Sequence, residues 1–88
     1  MYSELCSQIN KIEGAEIIGR VEGEYKSYPF YMITRGKGEK VLLSAGLHGD
    51  EPGGVYGLLD FFQNHSSRFE NRFEFTAFPC INPWGFEN

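Results

Sequence analysis

Lys40-Val41-Leu42-Leu43-Ser44-Ala45-Gly46-Leu47-His48-Gly49-Asp50-Glu51-Pro52 is the stretch whose reading decides the fold. From Lys40 to Leu47 it runs apolar with almost no polar alternation, which predicts a strand covered on both faces and therefore the central strand of a sheet. Beyond it, Val55, Leu58, Leu59 and Phe62 recur at i, i+3, i+4 and i+7, predicting a helix over residues 52 to 64. Pro52 falls where a first helical turn tolerates a missing amide donor. A polar exit, residues 63 to 68, precedes Phe73 to Cys80, whose Phe, Thr and Ala content predicts another strand. Strand, helix, strand is the signature of two parallel strands joined by a right-handed crossover, so the class is α/β. The carboxyl ends of both strands then open on one edge of the sheet, which receives His48 and Asn82.

Working back toward the N-terminus, Arg35-Gly36-Lys37-Gly38-Glu39 is a polar turn. Ala15 to Val21 and Tyr25 to Thr34 are rich in Ile, Val, Tyr and Phe and predict two antiparallel strands, with Pro29 marking an edge position or a bulge. Tyr2, Leu5, Cys6, Ile9 and Ile12 keep helical spacing and Gly14 stands at a stop, so residues 3 to 12 predict a short amphipathic helix over the sheet. No internal repeat, low-complexity segment or domain boundary interrupts the chain.

Eighty-eight residues suffice for one small domain, which removes only about 60% of its unfolded surface on folding. A hydrophobic share of 41% and a charged share of 23% are those of a chain that packs, neither disordered nor membrane-spanning. The net charge of -4 and eight scattered Lys and Arg residues argue against a nucleic-acid partner. The first residues lack a basic segment followed by an apolar one, so a cytoplasmic location is expected. Cys6 and Cys80 stand in no metal or redox spacing and are expected to be reduced, with Cys80 buried.

His48 and Glu51 lie at the strand-to-helix passage, where open sheets commonly bind ligands. Side chains three apart at a helix start project toward one point, about 5–6 Å between Cβ atoms, and imidazole and carboxylate are ordinary zinc ligands. The spacing alone equally describes a hydrogen-bonded loop histidine beside a carboxylate favoured by the helix dipole. Asp50 suits a helix cap or an outer carboxylate that orients the histidine. Gly53 and Gly54 either admit a close approach or are merely tolerated in the first turn. His65, fourteen residues past Glu51, is on the order of 20 Å away along a helix and belongs elsewhere. Cys80 is nearer, but a thiolate departs from the His and carboxylate sets of zinc hydrolases.

Taken together, Ser44-Ala45-Gly46-Leu47-His48-Gly49-Asp50-Glu51-Pro52, the helix from Gly54 to Phe61, and Asn82-Pro83-Trp84-Gly85-Phe86-Glu87-Asn88 resemble the zinc carboxypeptidase family, including its succinylglutamate desuccinylase and aspartoacylase branch. The resemblance covers about residues 15 to 88 and is carried by the order of both motifs. It implies that His48 and Glu51 are zinc ligands and that the fold is the N-terminal part of a mixed sheet with flanking helices, residues 1–88 being a single incomplete domain. The family's substrate-binding arginine, Asn-Arg pair, second zinc histidine and general-base glutamate come later than Asn88. Amide hydrolysis is the implied reaction, on a peptide C-terminus or a small N-acyl amino acid, and the Asn-Pro-Trp-Gly-Phe-Glu loop favours the peptide. Two ligands fall short of the three that catalysis usually needs, so these residues alone are expected to be inactive. An uncovered sheet edge would invite self-association.

Overall fold

The computed structural model describes residues 2–48 and 52–88. In order these form α1 (Tyr2–Ile9), β1 (Ala15–Glu22), β2 (Ser27–Gly36), β3 (Glu39–Ser44), α2 (Gly53–Asn64), a 3₁₀ turn (Ser66–Arg68), β4 (Phe73–Phe78) and α3 (Pro83–Glu87). The sheet order is β1-β2-β4-β3. β1 with β2 and β2 with β4 are antiparallel, whereas β3 and β4 are parallel and joined through α2.

The expected α/β class and strand-helix-strand unit are therefore present, but β3 is not the central strand. It pairs only with β4 among the described residues, and Leu42 on its outer face is 70% exposed. A continuous apolar run states what a strand can bury, not which neighbours it finds. β4 takes the central place instead, with Ile33 opposite Ala77 on one side and Leu43 opposite Ala77 on the other. Both predicted strand ends also shorten, from Leu47 to Ser44 and from Cys80 to Phe78, and Pro79 follows β4 directly.

Registered partners share a face of the sheet. Ile33, Phe75 and Ala77 turn toward one core with Leu5 and Ile9 of α1 and Val55, Leu59 and Phe62 of α2. Phe62 and Phe75 meet edge to face at 6.1 Å. Thr34, Thr76 and Leu42 share the other face, where Phe30 and Phe78 stack at 5.9 Å. Pro29 sits in β2 at a point where only β1 runs alongside, because the β2–β4 pairing begins at Ile33. Its carbonyl accepts the Tyr2 hydroxyl at 2.7 Å, so no ladder bond is lost there.

Behind β2, Arg35 donates to Glu13 O and pairs with Glu70 at 2.8 Å, while Ser66 donates to Glu70 and to Phe62 O. This network fastens the turn before β4 to the end of β2. At Gly36 (φ +93) a Cβ would come within 2.1 Å of Phe73 O, so the same turn requires glycine. Gly57 differs: it lies inside α2, and a methyl group added there would meet nothing within 4 Å. Gly57→Ala is expected to stabilise the domain by about 0.5–1 kcal/mol and to raise Tm by roughly 3–6 °C. A lower Tm in thermal melts would mean that something packs against this side of α2.

Candidate functional site

The ladder between β3 and β4 continues past both strands. Ala45 N–H donates to Phe78 O at 3.1 Å, Ile81 N–H to Ala45 O at 2.9 Å, and Asn82 N–H to Gly46 O at 2.9 Å. The loop that carries His48 is thus bonded to the loop that carries Asn82, on the carboxyl edge of the parallel pair. This is the edge expected from the strand-helix-strand pattern.

Gly46 is the pivot of that passage. Its φ is +74, and a Cβ there would come to 3.0 Å from Cys80 Cα, Cys80 Sγ and Val55 Cγ2. The chain can turn out of β3 only because this residue has no side chain. Cys80 lies beneath the turn, 3% exposed, and burial pushes its thiol up to about 11 against a smaller opposing effect of the Asn82 backbone. It is a protonated thiol at neutral pH, as expected of a packing residue and unlike a thiolate metal ligand.

His48 is exposed and lines a cavity of about 230 Å³ with Ser44, Ala45, Gly46, Leu47 and Gly54. Its imidazole makes no hydrogen bond or ion pair with another described residue, which leaves it open to a metal or ligand. Glu51 and Asp50 lie outside the described residues, so the His48–Glu51 pair is not brought together or separated here. Among the described residues no group of three or more His, Cys, Asp or Glu could hold a metal ion. The fit is therefore that of one accessible imidazole donor with space before it.

Gly54 borders the same cavity and a Cβ on it would reach only Ala45 Cβ, at 3.9 Å. No described backbone approaches Gly53 or Gly54 closely. Pro52 is the N-cap of α2 and accepts Tyr56 N–H at 3.2 Å. His65 caps the far end of the helix, where it meets Asp60 at 3.2 Å and Arg68 at 2.9 Å, away from the candidate site.

Asn82 is more than a turn residue. Its Oδ1 accepts Gly85 N–H at 2.9 Å and caps α3, while its own N–H holds the Gly46 carbonyl. Pro83 and Phe86 anchor α3 in the core, and Glu87 accepts the Tyr2 N–H at 2.8 Å. That hydrogen bond, with Lys26 nearby at 4.0 Å, holds the Glu87 carboxyl below its usual range. The sequence motif marked the loop; the hydrogen bonds that couple it to Gly46 depend on contacts 36 residues apart and carry no local signal.

The sequence matches no protein-family model. No curated protein matches it either. Solved structures do. A candidate metallopeptidase from Shewanella amazonensis SB2B superposes with a TM-score of 0.69 at 30% identity, over 97% of this chain and 32% of that one. The chain is similar to the N-terminal part of metallopeptidases with a carboxypeptidase-like fold. A second candidate metallopeptidase, from Shewanella denitrificans OS217, gives 0.67 at 26% identity, over 98% of this chain and 32% of that one. Bovine thrombin-activatable fibrinolysis inhibitor, solved in complex with tick carboxypeptidase inhibitor, gives 0.69 at 19% identity and the same coverage, a likeness of fold alone. This carboxypeptidase-like chain thus spans about a third of the length of the structures it matches.

Proposed function

We propose that the chain contributes His48 and Glu51 to the zinc site of a metallocarboxypeptidase-type hydrolase that cleaves a C-terminal peptide bond. The observation that supports it is the Asn82 N–H to Gly46 O bond, which sets the His48 loop and the Asn-Pro-Trp-Gly loop side by side at the carboxyl edge of β3 and β4. Bound zinc would supply Lewis acidity toward a substrate carbonyl and a water of lowered pKa. The chain's own residues have other tasks. His48 offers an imidazole from an open loop, Glu51, two residues before α2 in the sequence, would add a carboxylate, and Gly46 with Asn82 fixes where that loop leaves the sheet. One described donor is short of a three-ligand site, so hydrolysis by these 88 residues alone is not part of the proposal.

The test compares zinc content and carboxypeptidase activity of a longer polypeptide that contains these residues with those of its His48→Ala variant. Zinc affinity and hydrolysis should each fall on the order of 100-fold or more. Unchanged zinc content would remove His48 from the site. Activity confined to small N-acyl amino acids would replace the peptidase reading by the deacylase one. We place the protein in the cytoplasm, a location with which its two unpaired cysteines agree.

A second reading, that the chain is a non-catalytic module that self-associates, is favoured by β3. Its outer edge is unpaired among the described residues, Leu42 is exposed, and an apolar groove of about 390 Å³ opens beside it between Leu43, Leu58, Phe61 and Phe75. Such an edge is a template for another strand. Light scattering should then show a dimer or larger species at micromolar concentration. A monomer throughout that range would end this second reading.

A further inference from the structure

Trp84 is held in place and yet half open. It lies in α3 between the buried residues Pro83 and Phe86 and is itself 50% exposed. Its ring rests on the β1–β2 turn, where a Cβ at Gly23 would come to 3.3 Å from Trp84 Cδ1. Absence of a side chain at Gly23 lets the indole approach that backbone. The turn is closed by Gly23 N–H to Lys26 O at 2.8 Å, and Lys26 in turn approaches Glu87 of α3. α3 is thus fastened at three sides, to the core, to the hairpin turn and to α1 through Glu87.

A large aromatic side chain whose rotamer is already fixed loses little entropy on binding, and such residues anchor recognition surfaces when part of the ring stays in solvent. Position adds to this. Trp84 follows Asn82 by two residues, and Asn82 N–H holds Gly46 O, two residues before His48. Two extended steps on each side of one hydrogen bond limit the Trp84–His48 Cα separation to about 20 Å, the span of about six extended residues.

We propose that Trp84 is a specificity-determining residue that receives an apolar or aromatic side chain of a peptide substrate extended along this edge. The inference rests on the amide-hydrolase reading above and sharpens it. A side-chain contact at Trp84, apart from the reacting bond, rewards a peptide that carries an apolar residue there and gives nothing to a small N-acyl amino acid that lacks one.

The chain contains a single tryptophan, so its fluorescence reports this position alone. The probes are the acetylated tripeptide alanyl-phenylalanyl-leucine and, as the small acyl amino acid, N-acetyl-alanine. The tripeptide should shift Trp84 emission to shorter wavelength in a saturable way below about 10 mM, and N-acetyl-alanine should not. By calorimetry, Trp84→Ala should weaken tripeptide binding about tenfold or more, whereas Trp84→Phe should stay within about threefold of the parent. The emission shift should persist in His48→Ala. A flat emission titration, or equal tripeptide affinity in Trp84→Ala, overturns the proposal even where His48→Ala confirms the zinc site. Unchanged zinc content in His48→Ala with the emission shift intact overturns the zinc reading alone.

Discussion

Gly46→Ala is expected to lower unfolding stability by roughly 2–4 kcal/mol and, on the proposed zinc reading, to weaken metal binding at His48 together with it. Two costs combine. A φ of +74 is a left-handed conformation, which costs an alanine about 1–2 kcal/mol. The added methyl also meets Cys80 Cα, Cys80 Sγ and Val55 Cγ2, each at 3.0 Å, inside ordinary van der Waals contact. Val55 is fully buried and Cys80 nearly so, so neither can swing into solvent. A domain of this size is stable by only about 4–13 kcal/mol, which makes the change a large fraction of the total. Urea unfolding should show a lower midpoint with an unchanged slope. Adding Cys80→Ala should recover part of the loss by removing the Sγ contact, but not the share due to φ or to the Cys80 backbone. An unchanged midpoint in Gly46→Ala would mean that the β3 exit does not run as described.

The second large effect is alkaline. Burial raises the Cys80 thiol from an ordinary 9.0 to about 11. As pH rises past 9 the unfolded chain gives up this proton first, while the folded protein retains it until about 11. Stability is therefore complete below pH 9 and declines through the window between the two values, by roughly 2–3 kcal/mol for this group. Cys6, Tyr2 and Tyr31 are also raised, each chiefly by burial, and add in the same direction. Urea unfolding of the protein and of Cys80→Ala at pH 8 and pH 11 measures the share of Cys80. The difference between the two proteins should shrink by most of that 2–3 kcal/mol at the higher pH. Parallel losses in both would show that the thiol is not buried in the folded state.

These expectations draw on different amounts of sequence information. The apolar stripe of Val55, Leu59 and Phe62 located α2 almost to the residue, because helix burial has a period that a short window reveals. The order of β3, α2 and β4 placed His48 and Asn82 on one edge, because a helical crossover leaves parallel strands ending together. Both conclusions use patterns that are local in the chain.

What local pattern could not supply is pairing. Lys40 to Leu47 looked central because it is apolar, yet β4 occupies that place and Leu42 stands in solvent. Gly46 could be read as a permissive turn residue, but its need for glycine comes from Cys80 and Val55, which only folding brings beneath it. In the same way Trp84 is one letter of a loop motif until folding sets Gly23, 61 residues earlier, under its ring. The sequence by itself determined the element types, the edge on which chemistry is expected and His48 as the candidate ligand there. The tertiary structure alone decided which strand is central, which glycine admits the turn and which aromatic is fixed yet exposed. The physical reason is that periodicity and turn chemistry act over a few residues, whereas strand order and steric fit arise between residues tens of positions apart.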